Sequence, residues 1–163
     1  MGLTNTWWGD FAGETDDSLL LLDYLEQKGA TAESIKLSEV FADLHMTEDL
    51  KNRTIATSDL YWIDEDFEPH FNIGIDVVID LSVIVLEALE QGEISLSDFD
   101  KDYGSSFQIK STFVELNYLA EALNDFVQDP LSHDVGELLS EEDLASLCKQ
   151  CVEIVQKIKQ YAA

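Results

Sequence analysis

GIDVVIDLSVIVLEALEQG, Gly74 to Gly92, decides the fold class. Counted from Ile73, it is the longest apolar run in the chain, and Asp76, Asp80, Glu87 and Gln91 give it a polar edge. At about 100° per residue those four fall on one narrow stripe, so the segment reads as a helix that is apolar around most of its circumference. Gly92 then supplies the residue at which helices commonly stop. Such a helix, spanning 73–91, belongs at the centre of a bundle.

Working outward, apolar spacing predicts further helices on both sides. Thr15, Asp16, Asp17 and Ser18 offer N-caps ahead of a helix over Leu19 to Gln27, with Gly29 as its stop. A shorter helix is expected from Ser38 to Leu44, with Val40, Phe41 and Leu44 on one side. Beyond the centre, Phe107 to Gln128 places Ile109, Phe113, Leu116, Ala120, Leu123 and Val127 on one stripe, and Pro130 ends it. Ser140 with Asp143 resembles a capping box that opens a last helix through Tyr161, where Lys157 and Lys159 suit the C-terminal dipole. Between Lys51 and Ile73 the pattern weakens; Thr54, Ile55, Thr57, Tyr61, Trp62 and Ile63 favour an extended segment over 54–63, and Pro69 blocks helix continuation. The expected fold is mainly α: one acidic helical domain over 1–163, a bundle of about five helices around the central one.

One short similarity runs through this pattern. LEQKG from Leu25 leads to IKLSEV at Ile35, and LEQG from Leu89 leads to ISLSDF at Ile94. Both read as helix, glycine, apolar connector and serine cap. Recurrence of helix-end chemistry explains them better than a duplication, because too few residues match to define a repeat.

The chain of 163 residues can bury a core without metal or disulfide help. It carries 34 Asp plus Glu against 9 Lys plus Arg, a net charge of −25. Direct nucleic-acid binding is disfavoured, because phosphate contacts need a basic patch and the chain has a single arginine, Arg53, with scattered lysines. Anionic membranes are disfavoured for the same reason, and no run of about 18 apolar residues occurs. The start, MGLTNTWWGDF, lacks a secretory pattern; Gly2 and Thr6 fit a loose myristoylation pattern without a supporting basic patch. The expected location is the cytoplasm.

Motifs that carry chemistry are thin. Cys148 and Cys151 form CKQC, but mid-helix and on the apolar stripe, where free thiols behave as small hydrophobes. His45, His70 and His133 are isolated, which argues against zinc. DFDKDYGSSFQI from Asp98 offers carboxylates at calcium-loop positions 1, 3 and 5, yet has Tyr103 where the loop needs glycine and Ile109 where it needs glutamate. Asp76 and Asp80, four apart on the most apolar helix, are either a carboxylate pair with perturbed titration for acid–base work or the helix's solvent-facing edge. No cofactor is implied.

What remains is contact chemistry. YWIDEDFEPHF, Tyr61 to Phe71, interleaves aromatics with acids: Asp59, Asp64, Glu65, Asp66 and Glu68 would ring Tyr61, Trp62 and Phe67. Rigid aromatic anchors and flanking acids suit a basic protein partner; the plainer alternative is that Trp62 and Ile63 are core and the acids a solvated loop. Asp98, Asp100 and Asp102 supply a second acidic surface. Trp7 and Trp8, followed by Asp10, Phe11 and Glu14, either present one indole to a partner or belong to an arm wrapped on the domain.

A compact, strongly acidic, mainly helical chain without a catalytic signature resembles the immunity proteins of bacterial toxin systems, including those of contact-dependent growth inhibition. The resemblance implies a protein that binds a cognate toxin domain, often a basic nuclease, and blocks its active site or an adjoining surface. It rests on overall character, so the binding residues come from this chain's own acids and aromatics. The readings that compete with it are a nucleic-acid mimic occupying basic proteins, a small enzyme using Asp76 and Asp80, and an acidic surface kept for solubility in high salt.

Overall fold

The computed structural model describes residues 7–162; the Gly2 and Thr6 pattern lies outside them. The described residues form seven α-helices, α1 (Asp16–Ala30), α2 (Leu37–Asp43), α3 (Thr47–Asn52), α4 (Gly74–Gln91), α5 (Phe113–Gln128), α6 (Val135–Leu138) and α7 (Glu141–Ala162), and three short strands, β1 (Ser34–Lys36), β2 (Ile94–Ser95) and β3 (Ser106–Lys110). The mainly helical fold class holds, with α4 at its centre. Every residue from 75 to 88 is buried. Gly92 ends α4 at φ 82°, and its N–H returns to the Ala88 carbonyl.

The polar stripe of α4 does not face solvent, as the plainer reading of Asp76 and Asp80 had it. Asp76, Asp80 and Glu87 are 9%, 2% and 0% exposed. The segment before α1 and the start of α1 cover Asp80: the Gly13 N–H and the Ser18 hydroxyl both donate to it. Asp17, also buried, accepts from the backbone N–H groups of Asn72 and Ile73 at 2.7 and 2.8 Å. It thereby caps α4, whose own N-cap residue, Ile73, offers no side-chain acceptor.

Helix boundaries shift where long-range packing overrides local signals. Thr15 and Ser18 form the capping box of α1, but Gly29 lies inside the helix, which continues to Ala30. A Cβ at Gly29 would collide with the Phe107 ring, so this glycine provides a close approach between α1 and β3 and not a stop. The helix expected over Phe107–Gln128 begins only at Phe113. Residues 106–110 form a strand with alternating burial, which takes Ile109 off the helical stripe, and Phe113 is 61% exposed. Thr112 and Glu115 then form the capping box that starts α5. At α7 the Ser140 hydroxyl accepts from the Asp143 N–H at 3.1 Å, as the sequence suggested. α5 and α7 pack along one another and against α4.

The two similar segments acquire a structural meaning. Their apolar connectors are β1 and β2, the edge strands of a sheet ordered β1-β3-β2. β1 runs parallel to β3 with Ile35 opposite Ile109, and β2 antiparallel with Ile94 opposite Phe107. Ser38 and Ser97 cap nothing: each sits inside the helical turn that follows its strand.

Of the extended segment expected over 54–63, the first part is a 3-10 turn at Ile55–Thr57, and the second is extended as the first arm of a hairpin over 60–71. Ile55 is buried, and its turn packs so closely on the start of α4 that a Cβ added at Gly74 would collide with the Ser58 hydroxyl and the Ile55 carbonyl oxygen. The hairpin is held by Phe71 N–H to Leu60 O (2.8 Å), Trp62 N–H to Pro69 O (3.2 Å) and a reciprocal pair between Asp64 and Phe67. Glu65, at its tip, has φ 47°. Buried apolar residues from all these elements form one contiguous core.

Candidate partner-binding surface

Alternation along the hairpin sorts its residues. Leu60, Trp62 and Phe71 turn inward; Trp62 is 5% exposed and meets the Tyr24 ring edge-on at 5.7 Å. Tyr61 faces the other way and stacks between two imidazoles, His45 at 3.8 Å and His70 at 4.8 Å. His70 is clasped by Asp59 at 2.8 Å and Glu68 at 3.1 Å, and these two carboxylates, Asp59 foremost, raise its pKa. The clasp stiffens the base of the hairpin and offsets part of the charge of Asp59 and Glu68. At the tip, Ile63 and Phe67 are 67% and 72% exposed, with Glu65 and Asp66 exposed beside them.

The hairpin lies against α1, where the Gln27 amide donates to Asp64 at 3.1 Å. Between them runs a groove of about 550 Å³. Leu20, Trp62, Phe67 and Pro69 give it apolar walls; Asp23, Glu26, Asp64 and Glu68 give it acids. The loop after β2 reaches the same helix from the other side. The Tyr103 hydroxyl donates to Asp23 at 2.6 Å, and the Ser105 and Gly104 N–H groups donate to Glu26 at 2.9 and 3.1 Å. Burial pushes the Glu26 carboxyl up, but these backbone donors outweigh it and hold the pKa below its ordinary value.

The structure thus brings most of the two acidic segments together across α1. Asp64, Glu65, Asp66, Phe67 and Glu68 stand on one flank, and the loop carrying Asp100 and Asp102 on the other, with Asp100 accepting from the Asp102 N–H at 2.9 Å. Asp98 stands apart, lining a separate depression beside β2 with Glu93 and Ser97. Tyr61 is half-buried in its imidazole stack. Sequence reasoning passed over the α1 residues that join the flanks, Leu19, Asp23, Glu26 and Gln27. Leu19, Asp23 and Glu26 sit at helical spacing, four then three apart, and that was the available signal.

Other candidate chemistry resolves into core. Burial drives the Asp80 carboxyl up to about 7 and, with the charge of Asp17, that of Asp76 up to about 6. Both lie beneath the chain leading into α1, away from the groove. Cys151 is fully buried and Cys148 half-buried, and burial raises both thiols, which makes them poor nucleophiles. The indole N–H of Trp8 donates to the Phe99 carbonyl at 3.0 Å and that of Trp7 to Glu153 at 3.3 Å; both rings pack on the core, as an arm wrapped on the domain would place them. Among the described residues no group of three or more His, Cys, Asp or Glu is arranged to hold a metal ion, and no helix is long and apolar enough to cross a membrane.

The sequence matches the family model described as Immunity protein 68 over residues 3–158. The chain belongs to the Immunity protein 68 family. No curated protein and no solved structure matches it. As a member of the Immunity protein 68 family it is an immunity protein of a toxin system, with a toxin as its partner and inhibition as its role.

Proposed function

We propose that this immunity protein neutralises a basic toxin domain by laying the hairpin, α1 and the loop after β2 against it. The observation that carries this reading is the convergence of two sequence-distant acidic segments on α1, around a groove with apolar walls. With a net charge of −25 the whole molecule attracts a cationic partner, and focusing at the groove sets the orientation of encounter. Ile63 and Phe67 at the tip supply apolar anchors that slow dissociation. Those anchors favour a protein partner over mimicry of nucleic acid, which asks for carboxylates spaced like phosphates. The residues assigned to the contact are Asp64, Glu65, Asp66, Phe67, Glu68, Asp100 and Asp102, joined by Leu19, Asp23 and Glu26. Asp59 and Tyr61 support the hairpin from its base. The complex forms in the cytoplasm and requires no cofactor.

The test is association kinetics with the cognate toxin domain in an inactivated form. Replacing Asp64, Glu65, Asp66 and Glu68 with their amides should lower the association rate at low salt by about tenfold or more and flatten its dependence on ionic strength. An unchanged rate and salt slope removes the hairpin from the interface.

A further inference from the structure

The outer face of the sheet departs from the charge of the rest of the molecule. Alternation turns Ile35, Phe107 and Ile109 inward and leaves Ser34 and Lys36 of β1, with Ser106, Gln108 and Lys110 of β3, exposed on the other side. No acid stands among these five, in a chain with 34 Asp plus Glu. The parallel register sets Lys36 directly beside Lys110. Like charges opposed across neighbouring strands repel, so the pair costs stability until an anionic group sits on it.

The protein itself supplies no such group. Lys28, Arg53 and Lys157 are engaged by acids, whereas neither Lys36 nor Lys110 makes an ion pair or a side-chain hydrogen bond among the described residues. The two lysines line a depression of about 280 Å³ together with Ser38, Ser111 and Thr112. Its one carboxylate, Glu115, accepts from the Thr112 N–H at 2.9 Å in the capping box of α5 and is bound to neither lysine. Phe113 and Val114 follow Thr112 directly and are 61% and 59% exposed, so two uncovered apolar side chains adjoin the basic pair in sequence.

We propose that this face receives the hairpin tip of a second copy of the chain, so that the free protein associates head to tail. The complement is present in the molecule itself: Glu65 and Asp66, flanked by Ile63 and Phe67, all exposed at the tip. The two carboxylates take Lys36 and Lys110, and the two apolar side chains meet Phe113 and Val114. A nucleic acid is the poorer occupant, because two lysines on a molecule of net charge −25 meet too few phosphates to offset its repulsion. Two copies also repel at long range, but salt at about 0.15 M screens that repulsion beyond about 8 Å and weakens close, partly buried pairs much less. Because the two patches differ, the contact repeats from copy to copy and does not close on itself. It also covers the tip, so a second copy and the toxin exclude one another; this last consequence rests on the hairpin reading of function, and the self-contact does not.

The test is sedimentation velocity on the full chain over a concentration series, at about 0.01 M and about 0.15 M salt. A monomer is expected at the lower salt and growth with concentration at the higher. Lys36→Glu with Lys110→Glu, and separately Glu65→Gln with Asp66→Asn, should each weaken the association by about tenfold or more. All four positions are exposed, and an unchanged helical signal in circular dichroism shows that each variant folds. Mixed together, the two variants retain one working patch each, and a 1:1 complex that grows no further is expected. A wild type that stays monomeric throughout, association that survives in either variant, or a mixture that forms no complex overturns the proposal. Lys36 and Lys110 amide signals that move in NMR with an oligothymidylate and not with protein concentration assign the face to nucleic acid and overturn it as well. The sedimentation series contains no toxin, so its failure leaves the hairpin's toxin kinetics standing, and failure of those kinetics leaves the sedimentation result standing.

Discussion

Replacing Asp80 with asparagine should make the protein more stable at high pH and do so by an amount that grows with pH. Asp80 is 2% exposed, accepts from the Gly13 N–H and the Ser18 hydroxyl, and has its carboxyl driven up to about 7 from 3.8, chiefly by burial. A folded pKa above the unfolded one means stability that is fully present below about pH 4 and lost as pH rises through about 7, because the ionised form must then be held inside the core. The amide keeps an oxygen for Gly13. Its NH₂ group donates to Ser18, whose hydroxyl can turn to Thr15 Oγ1, 3.1 Å away. From about pH 5.5 up to the folded pKa of about 7 the folded wild type still holds the Asp80 proton that the unfolded chain has given up, so going to about pH 8.5 costs it about 1.5 pH units of linkage, or about 2 kcal/mol at about 1.4 kcal/mol per unit. The assay is urea denaturation of both proteins at the two pH values. The change in their stability difference cancels the fixed cost of the asparagine and the titration of acids remote from Asp80, leaving Asp80 with the neighbours whose charges act on it, Asp76 and Asp17. A change below about 0.5 kcal/mol, within the scatter of independent substitutions, would show that Asp80 ionises normally in the fold and would refute the argument from burial.

Gly29→Ala should destabilise by about 1–3 kcal/mol in the same assay despite alanine's better helix propensity, because the added methyl meets the Phe107 ring; a stabilised variant would refute the close-packing role. His70, clasped by Asp59 and Glu68, should titrate above its ordinary value by NMR, and the hold it gives the hairpin should be present below the unfolded pKa of about 6.5 and lost as pH rises through the folded one. Asp59→Asn should bring that titration back toward the ordinary value, and an unmoved curve would take Asp59 out of the clasp.

How much of this was legible beforehand depends on whether the controlling contact was local. α4 announced itself through its unbroken apolar run and Gly92, and α7 through Ser140 and its periodic stripe; each rests on chemistry within a few residues. The Thr112–Glu115 capping box was equally local and would have moved the start of α5 to its place. β3 was legible as well: in Ser106–Lys110 Phe107 and Ile109 alternate with polar residues, whereas a helix would turn the two about 200° apart, and the helical stripe could claim Ile109 only by leaving Phe107 off it. The stripe through Asp80 read as an edge because the partners of Asp80, Gly13 and Ser18, lie more than sixty positions away along the chain. For the contact surface, the acids and aromatics were visible as composition, but α1's part in joining them, through Asp23, Glu26 and Gln27, exists only once hairpin and loop have folded onto it.

The cap that Asp17 places on α4 links stability to folding order. The chain entering the most apolar helix has its backbone donors, those of Asn72 and the N-cap Ile73, held by a carboxylate from another helix 55 residues earlier. A chain segment so hydrophobic would otherwise be free to form early and to associate with other copies. Because its N-terminus is completed only when α1 docks, and docking also buries the acids along its flank, α4 reaches its full stability together with the rest of the core. The dependence raises the cooperativity of the fold and leaves little room for a half-formed state with that helix exposed.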